Sequence, residues 1–159
     1  MTETLSPSAQ RVQDALKALG FANTVIEHEQ TTRSAKDAAQ AIGCAVGQIV
    51  KSLIFVTHDS RRPVLILVSG PNRVNELRMG QLIGETLARA DPDFVQAVTG
   101  FAIGGVPPIG HRNPLLTYID QDLFKFAEIW AAGGTPHAVF KLTPQELQQM
   151  TGGQAVSVA

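Results

Sequence analysis

Two features of this chain can do chemistry: a lysine inside an apolar run and a loop built from glycine and proline. Lys51 stands in Ile49-Val50-Lys51-Ser52-Leu53-Ile54-Phe55. An ammonium among such neighbours costs several kcal/mol unless it reaches water or meets an anion. Either its head snorkels out from the strand end, or it waits for a phosphate or carboxylate. The loop Phe101-Ala102-Ile103-Gly104-Gly105-Val106-Pro107-Pro108-Ile109-Gly110-His111 holds three glycines and two prolines. Glycine lets the main chain approach a ligand, and proline fixes φ and removes its own N–H donor. The donors left on Gly104, Gly105 and Val106 can polarise a carbonyl without a charged side chain or a metal. A plain structural turn between strands is the alternative that the same composition allows.

Other chemistries lack their patterns. His28, His58, His111 and His137 form no i, i+4 pair and have no neighbouring cysteine, so no metal site is expected. There is no Gly-x-Ser-x-Gly elbow, no Walker loop and no dinucleotide fingerprint, so neither a hydrolytic triad nor a cofactor is expected. Cys44 is the single cysteine; it excludes an internal disulfide and reads as a small packing residue.

The 159 residues, 44% hydrophobic and 17% charged, predict one compact domain spanning 1–159. No apolar run is long enough to cross a membrane, and Met1-Thr2-Glu3-Thr4 lacks the basic start of a signal peptide. A cytoplasmic location is the expectation. Thirteen basic residues are offset by 14 acidic ones, for a net charge of −1, which argues against binding duplex DNA through its phosphates. Arg61, Arg62, Arg73 and Arg78 are the candidates to flank one opening.

The elements that must position Lys51 and the loop follow from caps and periodicity. A helix starts at Ser6-Pro7 and closes at Gly20, a strand covers Thr24 to His28, and Ser34-Ala35-Lys36-Asp37 opens a helix that ends near Gly43. Leu53–Val56 and Val64–Val68 read as central strands covered on both faces and joined by a polar hairpin. Helices follow over Asn75 to Leu82 and from Asp91-Pro92-Asp93 to about Val98, the latter feeding the Gly/Pro loop. Short strands are expected at Leu116–Ile119, Glu128–Ala131 and His137–Leu142. A last helix runs from Thr143-Pro144-Gln145-Glu146 to Gly152-Gly153. The sum is a mixed α/β (α+β) fold whose sheet is partly barrel-like and surrounded by helices.

Several stretches together resemble one family. They are Val50-Lys51-Ser52-Leu53, Ala90-Asp91-Pro92, Val98-Thr99-Gly100, Gly104 to His111 and Ala132-Gly133-Gly134. The set is similar to the YbaK family, free-standing relatives of the editing domain inserted in bacterial prolyl-tRNA synthetases, and the likeness runs from about Thr24 to Ser157. The resemblance implies a trans-editing aminoacyl-tRNA deacylase that hydrolyses the ester of mischarged tRNA without a metal. It further implies that Lys51 holds the phosphate or amino group at the charged tRNA end and that the Gly-x-x-x-Pro loop, Gly104 to Pro108, offers amides to the carbonyl. Water is then the nucleophile, assisted by a ribose hydroxyl of the substrate.

Gly104, Gly105, Pro108 and Lys51 are thus the expected catalytic set. Thr32, Val106, Pro107, His111, Gly133, Gly134, Thr135 and His137 are the expected substrate-binding residues. Members acting on cysteinyl-tRNAPro carry an acidic residue after the Gly-Gly turn, which Thr135-Pro136-His137-Ala138-Val139-Phe140 lacks. The expected substrate is therefore tRNAPro, or a related tRNA, carrying a small residue such as alanine, serine or threonine. The expected partners are the aminoacyl-tRNA acceptor end and a synthetase. Two other functions stay open at this level: a non-catalytic module that binds a tRNA end or a synthetase, and a hydrolase of small phosphorylated esters.

Overall fold

In the computed structural model, residues 4–32 and 34–159 are described; the N-terminal Met1–Glu3 weighed above and Arg33 lie outside them. The described residues form five α-helices, two short 3-10 helices and eight strands. The α-helices are α1 Pro7–Ala18, α2 Ala35–Ile42, α3 Glu76–Ile83, α4 Pro92–Thr99 and α5 Pro144–Thr151. The strands are β1 Val25–Glu27, β2 Ile49–Thr57, β3 Pro63–Ser69, β4 Leu87–Arg89, β5 Leu116–Asp120, β6 Ile129–Ala132, β7 Ala138–Leu142 and β8 Gln154–Val156. One mixed sheet runs β1-β7-β6-β2-β3-β5-β8, with β4 added to β2. β6 lies parallel to β2, and β5 lies parallel to both β3 and β8; the other pairs are antiparallel.

β3 explains why its sequence shows no alternation. Leu65 and Leu67 join the cluster that contains α1, α4 and α5, whereas Val64, Ile66 and Val68 join Met79, Tyr118 and Val158 on the opposite face. Successive side chains of a strand point to opposite faces. A strand covered on both must therefore be apolar throughout. Each fully buried Val or Leu contributes about 1.5–3 kcal/mol, which fixes β3 as the reference around which the site is built.

Helix ends are set by local chemistry. Side chains of Ser34, Asn75, Asp91 and Thr143 each accept from the backbone N–H three residues on, and Gly43, Gly84, Gly100 and Gly152 close the same helices with positive φ, as expected for such caps. Ser6 departs from this pattern: its hydroxyl and its N–H both donate to the Glu27 carboxylate, at 3.0 and 2.6 Å. It ties α1 to β1 and leaves the helix uncapped.

The sheet splits beside β2. Pairing with β6 stops at Val50, and pairing with β4 begins at Phe55. Lys51 to Ile54 therefore have no partner strand on that edge, and a cavity opens there. β4 and β8 were absent from the sequence-based expectation. Among the described residues no helix is long and apolar enough to cross a membrane.

Candidate active site

The cavity beside β2 measures about 830 Å³, within the roughly 300–1,000 Å³ usual for small-molecule sites. Lys51 reaches it from the split strand edge. Its Nζ donates to the carbonyl oxygen of Asn72 at 2.5 Å, and since an ammonium has three donors, the others are left for the cavity. Burial, followed by the Arg73 guanidinium, holds the Lys51 pKa below the ordinary lysine value, and Asp120 works in the opposite direction. Arg73 and Arg89 line the same space.

Gly104 and Val106 line the same cavity. Their N–H groups have no protein acceptor among the described residues, whereas Gly105 N–H donates to Ala102 O at 3.1 Å. Of the three amides singled out in the sequence, the turn itself takes the middle one. The rest of the loop is anchorage. Phe101, Val106 and Ile109 are buried hooks. Phe101 N–H donates to the buried Thr99 hydroxyl, and Arg112 and Asn113 N–H donate to Thr99 O and Val98 O. Arg11 donates to Gly100 O at 2.6 Å and covers the Phe101 ring. Gly104 has φ 94°, a conformation that glycine adopts without the Cβ penalty.

His111 lies outside the cavity lining and locks the loop instead. Its Nε2 is 2.6 Å from Pro107 O; a carbonyl only accepts, so Nε2 carries the proton. Burial lowers the His111 pKa, and the Pro107 hydrogen bond offsets this only in part. A histidine whose pKa is depressed by folding contributes stability that is complete above its unfolded value, near 6.5, and lost as pH falls through the folded value. His111→Gln is expected to flatten that part of the stability curve in urea melts between about pH 7 and 5; an unchanged slope would remove the assignment.

The remaining expected residues form the wall behind the loop. Thr32 lines the cavity, and its N–H and hydroxyl both donate to Pro136 O. A Cβ on Gly105 would lie 2.8 Å from three backbone atoms of Thr135, and one on Gly134 would meet Ser8 O at 2.6 Å. Gly133, Gly134, Thr135, Pro107 and Pro108 are not among the residues that line the cavity; Thr135 packs on the loop at Gly105, and Gly134 packs on Ser8. His137 points away, with Nδ1 3.1 Å from Gln30 O.

The arginine cluster expected from sequence does not form. Arg61 covers Phe94, Arg62 pairs with Glu85 at 3.5 Å, and Arg78 donates to Ser157 and to the Ala159 carbonyl. Only Arg73 of the four lines the cavity, and Arg89 joins it. The unflagged Ser52 also lines it, with a buried hydroxyl that has no partner among the described residues. Cys44 packs with Ala39, Ile49 and Trp130, and burial raises its pKa.

Lys51, Arg73 and Arg89 thus line one cavity together with Gly104 and Val106. The family model of the aminoacyl-tRNA editing domain matches residues 29–150, and the chain belongs to that family of deacylases of mischarged aminoacyl-tRNA. A solved structure described as a candidate trans-editing enzyme for prolyl-tRNA synthetase superposes with TM-score 0.93 at 52% identity, covering 98% of both chains. The uncharacterized protein YwhH of Bacillus subtilis is 30% identical, covering 81% of this chain and 82% of that one. A candidate Cys-tRNA(Pro)/Cys-tRNA(Cys) deacylase of Enterococcus faecalis is 26% identical, covering 79% and 76%.

Proposed function

We propose that the cavity receives the aminoacylated 3′ end of tRNAPro, or a related tRNA, carrying a small amino acid, and that the chain acts in trans in the cytoplasm as a single editing unit. The observation that carries this is that Lys51 lines one cavity together with Gly104 and Val106, whose N–H groups have no acceptor among the described residues. In this reading Lys51 holds the phosphate or amino group of the charged end. The two amides face the ester carbonyl, where each donor to a developing oxyanion is worth about 3 kcal/mol. Water attacks, and the tetrahedral intermediate collapses to free amino acid and tRNA. The wall of Thr32, Ala38 and Trp130 limits the size of the amino-acid moiety, as an editing sieve requires.

Deacylation of a panel of mischarged tRNAs tests the proposal. Release of one small amino acid is the expected result; no release from any of them would overturn it in favour of a binding module or a small-ester hydrolase. Arg73 and Arg89, the latter also paired with Glu76 at 3.5 Å, line the cavity and are assigned the phosphate contacts. Alanine at either is expected to raise KM and to lower the salt slope of tRNA binding by about one unit each, as measured by filter binding across a salt series.

A further inference from the structure

We propose that Asp120 is a positioning residue for Lys51, acting through Asn72; the inference rests on the role given to Lys51 above. Asp120 closes β5 and is 1% exposed. Burying a carboxylate is costly unless its oxygens are met. Oδ1 accepts from Asp122 N–H at 2.9 Å, which is all that a cap for the turn after β5 requires. Oδ2 reaches across to the end of β3 and accepts from Ser69 N–H at 3.0 Å and from the Asn72 side-chain amide at 2.8 Å. The carbonyl of that same Asn72 holds the Lys51 ammonium.

Lys51 is the register partner of Val68, the residue before Ser69. Stem and acceptor are thus both placed from one end of β3, and Asp120 fixes that end. The charged groups around the ammonium are few. Arg73 repels it, and Asp120 attracts it. Asp122 also accepts from Asn72 but is neutralised by Lys125 at 3.0 Å. Asp120 has no cation within ion-pair distance among the described residues, so its charge is directed to this network alone.

Asp120→Asn keeps the shape and removes the charge. Asparagine has a single acceptor oxygen for the three donors, so either the Asp122 cap or the Ser69 and Asn72 bonds lose their acceptor, and in both cases the charge that attracts Lys51 is gone. The readout is competitive labelling of Lys51 with acetic anhydride in the tRNA-free protein, followed by peptide mass spectrometry. Loss of the Asp120 attraction lowers the lysine pKa and so raises the unprotonated fraction, and labelling near neutral pH is expected to rise by more than about twofold. Asp122→Asn is expected to alter labelling less than about twofold, because that carboxylate is screened and already paired.

Deacylation is expected to fall about tenfold in kcat with Asp120→Asn, by misplacement of the ammonium, and not to fall further when the change is added to Lys51→Ala. An unchanged labelling profile, or a full additional loss in the double variant, would overturn the proposal. Should Asp120→Asn fail to fold, Asn72→Ala decides instead: it cuts the link at the turn and is expected to raise labelling in the same direction, unchanged labelling again being the contrary result. A labelling shift in a protein that deacylates no tRNA would uphold the coupling and remove the deacylase reading.

Discussion

Replacing Lys51 with alanine is expected to lower kcat/KM for deacylation about 10²–10³-fold, the loss typical of removing one preorganised donor from a developing charge. The melting temperature is expected to move by less than about 3 °C, since 1 kcal/mol corresponds to about 2–4 °C in a domain of this size. Both follow from where the ammonium lies. It is half-buried and, among the described residues, makes one neutral hydrogen bond, to Asn72 O, and no ion pair. Removing it relinquishes that bond and relieves the desolvation that depresses its pKa, two changes of opposite sign. A group that contributes little to the fold and opens on a cavity has the placement that the proposed ligand contact requires.

Lys51→Met retains the stem without the charge and should be as slow as the alanine variant. Lys51→Arg is expected to restore little, because a planar fork does not replace a compact ammonium. Single-turnover hydrolysis of mischarged tRNA, set beside thermal melts, reads both quantities. A fully active alanine variant would end the role assigned to Lys51.

The helices were legible because their ends are written in local chemistry. Ser34, Asn75, Asp91 and Thr143 mark the starts of four helices and the left-handed glycines mark their ends, and each such signal acts within one turn. β2 and β3 were legible because burial on both faces demands an unbroken apolar run. β4 and β8 were not. Each has three residues and, unlike the equally short β1 with its adjacent Val25 and Ile26, no neighbouring pair of β-branched residues, so it is their pairing with β2 and β5 that defines them.

The site divides along the same line. Lys51 stood out as a cation in an apolar run, and the loop as a shaped backbone. Arg89 was hidden because its strand was. Arg61, Arg62 and Arg78 were grouped by charge, but charge along a sequence carries no direction in space, and each has a partner elsewhere. Asp120 and Asn72 are 48 residues apart, and no local pattern predicts a contact between a strand end and a turn at that separation. The Gly105 amide was misjudged for a different reason. Composition marks a loop as rigid without saying which of its donors the turn consumes, and Ala102 O takes this one.

Gly105→Ala tests that distinction, and its effect is expected to be as large as that of any catalytic change. A Cβ at this position would stand 2.8 Å from the N, Cα and C atoms of Thr135, all backbone, in a segment braced by Thr32 bonds to Pro136 and by Gly134 against Ser8. Neither side has a flexible side chain that can swing away, so the 104–108 loop must move. Overpacking of this kind costs about 1–3 kcal/mol, or a melting temperature lower by roughly 2–12 °C at the conversion for this size. A displacement near 1 Å carries the Gly104 and Val106 amides off the carbonyl, and misplacements of that size cost about 10²-fold in rate.

Gly104→Ala differs in cause: φ 94° strains any residue with a Cβ, at about 1–2 kcal/mol, while the free amide remains. The two variants therefore separate support from donation. Gly105→Ala should lose both rate and stability, and restoring stability at low temperature should leave the rate depressed because the loop stays displaced. If activity instead returned in full at low temperature, the loop would be a fold element alone, and the amides of Gly104 and Val106 would lose their place at the carbonyl.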